Sequence, residues 1–228
     1  MNGITFILPT IGRKTLTNSI QSLINQTNKN WKVIIIFDGI KQTIDKYDDK
    51  RIKIIEIEKM GLNQNSAGNV RNYGMSLADT EWIAFIDDDD IISNDYIDMF
   101  YKELNINQHN NIDLDVIIFR MKIGNRIIPK LKTDNFYICD VGISFILKKS
   151  IYDNGIRFIP DGAEDYLYLN NIRKNGYKIM ISPHIKYFVR QNKYEDETII
   201  GNRVFINNNS NKILFNCYAY LWILSENI

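Results

Sequence analysis

The chain has 228 residues, with 28 Lys and Arg against 27 Asp and Glu, 2 His and 2 Cys, and a formal net charge of +1. That length buries a sizeable core within one domain, while the near-zero charge and the lack of a basic block interleaved with aromatics argue against a nucleic-acid partner. Cys139 and Cys217 lie far apart without a CxxC spacing, so neither a zinc site nor a disulfide framework is indicated, and two buried thiols in a reducing compartment are expected.

Met1-Asn2-Gly3-Ile4 lacks the basic start and long apolar run of a secretory signal, so a cytoplasmic location is expected. Ile4 to Leu8 is a short apolar run ended by Pro9, and Leu16, Ile20, Leu23 and Ile24 recur at helical spacing. Val33 to Phe37 reads as a buried strand closed by the turn Asp38-Gly39, and Arg51 to Ile57 alternates as a third strand. The Asn- and Gly-rich stretch Gly61 to Gly74 leads into a helix over Asn69 to Leu77. The strand Trp82 to Ile86 then empties into Asp87-Asp88-Asp89-Asp90. Four like charges in a row repel unless something positive sits among them, and a hard divalent cation with oxygen ligands is the natural candidate. The plainer alternative is a solvated loop in which Asp90 or Ser93 caps a helix starting near Asn94.

Beyond Leu104 the winding is less regular. Val116 to Met121 and Arg126 to Pro129 read as a strand pair, Phe136 to Leu147 holds another strand, and Glu164 to Asn175 is helical. Tyr177 to Ile181 and Ile185 to Val189 read as two further strands. Gln191 to Asn202 has the composition of a loop. Residues 204–228 form a terminal helix with an aromatic face, packed on the domain, with an oligomer or peripheral membrane contact as the alternative. Its most apolar stretch, Ile213 to Leu224, is about a dozen residues and too short for a span.

Strands alternating with helices indicate an α/β architecture with a mainly parallel sheet, whose ligands bind at the carboxyl ends of the strands. Pro9-Thr10, Asp38 and Asp87 to Asp90 sit at such ends and are predicted to converge on one crevice. The division is a single domain over residues 1–203, with a nucleotide-sugar half at 1–92 and an acceptor half at 93–203.

Five segments, in order, resemble the family-2 glycosyltransferases of the Rossmann-like GT-A fold. Ile4-Thr5-Phe6-Ile7-Leu8-Pro9-Thr10 resembles their opening strand and donor loop, and Val33 to Gly39 their second strand with its nucleotide-binding aspartate. Gly68-Asn69-Val70-Arg71-Asn72-Tyr73-Gly74 resembles the segment that usually reads Ala-Arg-Asn-x-Gly, with Val70 in place of Ala. Asp87 to Asp90 resembles the metal-binding Asp-x-Asp motif, and Glu164-Asp165 the acidic pair that supplies the base. The resemblance covers roughly residues 3 to 190.

The resemblance implies metal-assisted transfer of a sugar, with inversion, from a nucleoside-diphosphate sugar to an acceptor hydroxyl on a glycan, lipid-linked saccharide or protein. Asp38 can accept the imide N–H of uracil, which favours a UDP-linked donor, or it is a turn residue before Gly39. Pro9 and Thr10 shape the loop against the base. Arg71 offers a fork suited to phosphate or to a carboxylate partner. Asp87 faces the ribose, Asp89 the Mn²⁺ or Mg²⁺ ion, and Asp88 is their neighbour. Asp165 is the base and Glu164 its close second, although acids also decorate helix N-termini without chemistry. His184, Lys186 and Arg190 are the basic groups available to support the diphosphate. A phosphotransferase of the haloacid-dehalogenase type is the enzyme alternative, though its motif belongs near the chain start. A sugar-nucleotide pyrophosphorylase needs a glycine-rich loop that Leu8 to Arg13 lacks, and an inactive nucleotide- or glycan-binding domain is the non-enzyme alternative.

Overall fold

Strand β1 (Ile4–Thr10) is flanked by parallel neighbours, β2 (Trp31–Asp38) on one side and β4 (Trp82–Phe85) on the other, and β3 (Ile52–Ile57) runs parallel beyond β2. Ile4, Phe6, Ile7 and Leu8, like Val33 to Phe37, are buried whichever way they point, as strands covered on both faces require. The structure is a computed structural model describing residues 3–45, 47–60 and 67–190. The expected loop at 191–202 and the expected C-terminal helix at 204–228 lie outside these residues.

Helix α1 (Leu16–Ile24) connects β1 to β2 and buries Leu16, Ile20 and Leu23, as its spacing predicts. Helix α2 (Ala67–Leu77) connects β3 to β4. The chain thus winds outward through β2 and β3, then returns to the other side of β1, giving the order β3-β2-β1-β4. A switch point opens between the carboxyl ends of β1 and β4, where two loops diverge and leave a crevice.

The remainder extends the same sheet. After β5 (Asp90–Ile92) and α3 (Tyr96–His109) come β6 (Val116–Ile123), β7 (Arg126–Ile128), β8 (Phe145–Lys148), α4 (Lys149–Asp153), α5 (Glu164–Lys174) and β9 (Ile179–Val189). The order continues β8-β6-β9-β5, with β7 paired to β6. β8 is antiparallel to both β4 and β6, and β9 is parallel to β6. The carboxyl ends of β4, β6 and β9 therefore share one edge. β5 lies antiparallel to β9 with Asp90 opposite Val189, which places the end of the acidic run on that edge.

Three expectations are corrected. Asp90 does not cap a helix: it opens β5, and Asp95 holds the position before α3 without a side-chain cap bond. The two strands expected over 177–189 are one, β9, whose register against β6 shifts between Ile118 and Met121. The irregularity accommodates Pro183, which has no N–H to give a ladder. Cys139 is half-buried, with φ of 65°, and is not a free thiol. Among the described residues no helix is long and apolar enough to cross a membrane.

Gly74 sets how closely α2 lies on the sheet. A Cβ there would stand 2.4 Å from Ile7 Cγ2 and 2.9 Å from Ile36 Cδ1, so Gly74→Ala forces α2 off β1 and β2. Such overpacking costs about 2 kcal/mol, a drop in Tm of about 4–8 °C at this chain length. An unchanged Tm in a thermal melt would contradict this packing.

Candidate active site

The crevice at the switch point is built first by Asp88. Its carboxylate, 2 % exposed with the residue as a whole, accepts the Thr10 hydroxyl at 2.7 Å, the Ile11 N–H at 3.3 Å and Arg13 Nη1 at 2.5 Å. Thr10 in turn accepts the Gly12 N–H at 2.9 Å. The loop after β1 is therefore tied to the loop after β4. One strand along, buried Asp38 accepts the Met60 N–H at 2.8 Å and fixes the exit of β2 against that of β3. Pro9 is half-buried near the end of β1.

The other three acids of the run face one another. Single carboxylate oxygens of Asp87, Asp89 and Asp90 lie within 4.8 Å of each other. Burial pushes Asp89 up to about 6, and Asp87 and Asp88 push it the same way, against the pull of Arg13 with Nη1 3.5 Å from Asp89. Asp90 is driven well above its ordinary value, by burial first and then by Asp87 and Asp89. Tyr187 of β9 organises the pair: its hydroxyl accepts the Asp87 N–H at 3.1 Å and bonds the Asp90 carboxylate. A cluster of carboxylates short of positive charge is a fit donor set for a hard divalent cation, which takes oxygen ligands.

Arg71 of α2, 3 % exposed, joins this cluster to the acidic pair. Its Nη2 donates to Asp87 at 2.6 Å, its Nη1 donates to Glu164, and the same Nη1 lies 3.7 Å from Asp165. Glu164 also accepts the Gly68 N–H at 2.9 Å, and a Cβ on Gly68 would stand 2.5 Å from that oxygen. An aromatic stack aligns the helices beneath. Phe85, two residues before Asp87, meets Phe145 at 5.3 Å and Phe158 at 5.4 Å, and Phe158 stacks on Tyr168 of α5 at 3.9 Å. Asn72 clamps the Phe158 backbone, donating to its carbonyl and accepting its N–H, each at 2.9 Å.

Asp165 is left with an unusual balance. Its Oδ1 is buried without a hydrogen-bond partner. Burial raises its pKa to about 7, opposed by Arg71 and assisted by Glu164 and Asp87. Glu164 is raised as well, chiefly by burial and then by Asp87, against Arg71. A carboxylate near neutrality at the rim of a metal-competent cluster is suited to taking a proton from a substrate hydroxyl.

The family model described as "Glycosyl transferase family 2" matches residues 5–158. The chain belongs to this family. A poly(ribitol-phosphate) β-N-acetylglucosaminyltransferase, TarP of Staphylococcus aureus, is 25% identical over 218 residues, covering 86% of this chain and 64% of the relative. WfgD of Escherichia coli, a UDP-Glc:α-D-GlcNAc-diphosphoundecaprenol β-1,3-glucosyltransferase, is 26% identical over 188 residues, 76% of this chain and 71% of that one. Residues 1–349 of S. aureus TarS, crystallised in complex with UDP-GlcNAc, superpose with a TM-score of 0.70 at 21% identity, covering 85% of this chain and 60% of theirs. The fold is thereby GT-A. The chain spans 64% of the length of TarP and 60% of residues 1–349 of TarS. Membership of glycosyl transferase family 2 sets aside the haloacid-dehalogenase alternative.

In this family-2 chain, Asp87, Asp89, Arg71, Glu164 and Asp165 are brought into one constellation, while Thr10, Asp38 and Pro9 border it at adjacent strand ends. Asp88 turns away from the cluster toward Thr10 and Arg13. Arg71 meets carboxylates here, the second of the two partners its fork suits. His184 is not at the site: it lies 3.6 Å from Glu103 of α3, which also accepts the Ser182 hydroxyl. Lys186 pairs with Asp95 at 2.6 Å. Arg190 does arrive, its backbone N–H 3.3 Å from Asp90 Oδ1. Sequence reasoning gave no site role of their own to Arg13, Asn72 and Tyr187, and placed Asp90 at the site only as part of the acidic run. Asn72 lies within a quoted motif and Arg13 four residues past Pro9, so both had a local signal; Tyr187 had none.

The folded-state pKa of Asp165 lies above its ordinary 3.8. The stability it contributes is present below pH 4 and lost as pH rises through about 7. Asp165→Asn is therefore expected to raise Tm at pH 8 relative to the parent and to leave it little changed at pH 4.5. An equal effect at both pH values would contradict a desolvated carboxylate.

Proposed function

We propose that the protein transfers a sugar from a UDP-sugar to an acceptor hydroxyl with inversion at the anomeric carbon, and that Asp165 is the general base. The observation that carries this reading is the Asp165 carboxylate, raised to about 7, without a hydrogen bond at Oδ1 and joined only by the 3.7 Å approach of Arg71 Nη1 to the acidic cluster. Residues 1–92 supply the donor half and residues 93–203 the acceptor half.

On this reading Asp38 accepts the uracil imide N–H, Pro9 and Thr10 border the base, and Asp87 faces the ribose. Asp89, assisted by Asp87 and Asp90, would hold Mn²⁺ or Mg²⁺, which when bound supplies Lewis-acid stabilisation to the departing diphosphate. Asp88 holds the donor loop through Thr10, Ile11 and Arg13. The acceptor O–H proton passes to Asp165 as that oxygen bonds to the anomeric carbon, and the bond from that carbon to the diphosphate breaks to release UDP. One base on one face and a leaving group on the other give inversion. Glu164 fixes Arg71 and the start of α2. A UDP donor is supported by TarS, crystallised with UDP and with UDP-GlcNAc, and by WfgD, a UDP-Glc-dependent glucosyltransferase. The acceptor is a glycan, lipid-linked saccharide or polymer.

UDP release from a panel of UDP-sugars with Mn²⁺ and simple glycoside acceptors tests this. kcat/KM is expected to rise with pH through about 7, as the Asp165 carboxylate ionises, and to level off above it. Asp165→Asn is expected to lose about 10²–10⁴-fold in kcat, and product NMR to show the inverted anomer. A retained anomer, or full activity in the variant, would overturn the assignment of the base.

A further inference from the structure

On the edge of the sheet opposite the acidic run, the amino ends of the parallel strands frame a second cleft of about 480 Å³. Lys29, Asn30, Trp31, Lys32, Lys50 and Arg51 line it, beside the start of β1 and Thr80. Four of these residues are cations. The Arg51 guanidinium lies flat over the Trp31 ring, 4.0 Å from its centroid. Asp49 takes Arg51 Nε at 3.0 Å and Nη2 at 2.6 Å, and Asp79 pairs with Lys32 at 2.6 Å. Lys29, exposed at the rim, donates to the Ile24 carbonyl at 3.1 Å, and Lys50 is exposed beside Arg51.

Two donors of this wall lack an acceptor. Trp31 Nε1, on a residue 2 % exposed, and Arg51 Nη1 are both buried without a hydrogen-bond partner. Native structures rarely leave such groups unmade, and an unmet donor is a reason to look for a missing acceptor. Around these donors four cations, Lys29, Lys32, Lys50 and Arg51, stand against two carboxylates, Asp49 and Asp79, a balance that favours an anionic acceptor. Arg51 Nη1, which Asp49 does not take, the Trp31 indole N–H and the exposed ammonium groups of Lys29 and Lys50 together suit an oxyanion that accepts several bonds at once. Phosphate does this better than a single carboxylate, having more oxygens to meet donors that come from two segments, 29–32 and 50–51.

We propose that this cleft binds a phosphate group, free or carried on a larger molecule, with Arg51 and Trp31 as hydrogen-bond donors and Lys29, Lys32 and Lys50 as charge partners. It lies across the sheet from the UDP-sugar crevice, uses none of its residues, and stands whether or not the transfer reaction does.

The test follows the Trp31 indole N–H resonance, identified among the 3 tryptophans of the chain by its loss in Trp31→Phe, during titration with inorganic phosphate against sodium chloride of matched ionic strength. A saturable shift with phosphate alone is expected. The double variant Lys29→Gln/Lys50→Gln, which removes only exposed side chains, is expected to weaken it roughly tenfold. Sedimentation with phosphatidylglycerol but not phosphatidylcholine vesicles, lost in the same variant, would assign the phosphate to a lipid head group; phosphate binding without vesicle binding would assign it to a soluble ligand. A shift that does not saturate, that chloride reproduces, or that the double variant leaves unchanged would overturn the proposal.

Discussion

One buried guanidinium holds the two chemical halves of this molecule together. Arg71 is carried by α2 in the parallel half, donates to Asp87 at the end of β4, and reaches Glu164 at the start of α5 in the other half. A charge buried this deeply persists because several carboxylates share it, and removing it would leave those carboxylates uncompensated, a loss of about 3–5 kcal/mol for a buried pair. The shape of α2 follows from that demand. Gly68 gives its N–H to Glu164 without a side chain in the way, Asn72 grips the backbone at Phe158, and Gly74 lets the helix settle onto Ile7 and Ile36. A segment that reads as a motif is, residue by residue, a docking surface for one arginine.

The same economy governs the acidic run. Its residues alternate in direction: Asp88 faces the loop after β1 and is satisfied by Thr10, Ile11 and Arg13, whereas Asp87, Asp89 and Asp90 face one another. Arg13 and Arg71 supply part of the positive charge that four adjacent acids require, at the two flanks of the run. What is left in the middle is desolvated and underneutralised, as the raised pKa values of Asp89 and Asp90 record. Three carboxylates held this close form a donor set that a hard divalent cation fits.

The parallel half was legible because its physics is local: apolar runs of period-free burial, one helical face in α1, and a strand ending in acids. β1, α1, β2, α2 and β4 fall where the residues place them. The other half was harder, since β5 is three residues long and exists only because β9 pairs with it. No local pattern announces that pairing, so a helix cap at Asp90 or Ser93 stood as the alternative to a cation site. Of the site, the strand-end residues could be named from their place on the sheet, and the Glu164-Asp165 pair only from its resemblance to the family motif. Tyr187 could not, being 97 residues beyond Asp90 and meeting it only through the fold.

The central claim is that the acidic cluster is the cation-dependent donor site of a UDP-sugar transferase. Calorimetric titration of UDP, with and without Mn²⁺, into the parent protein and the folded Asp89→Ala variant tests it most directly. The account predicts binding to the parent that requires Mn²⁺ and is lost in the variant. UDP binding of equal strength without the metal, or undiminished in Asp89→Ala, would contradict it.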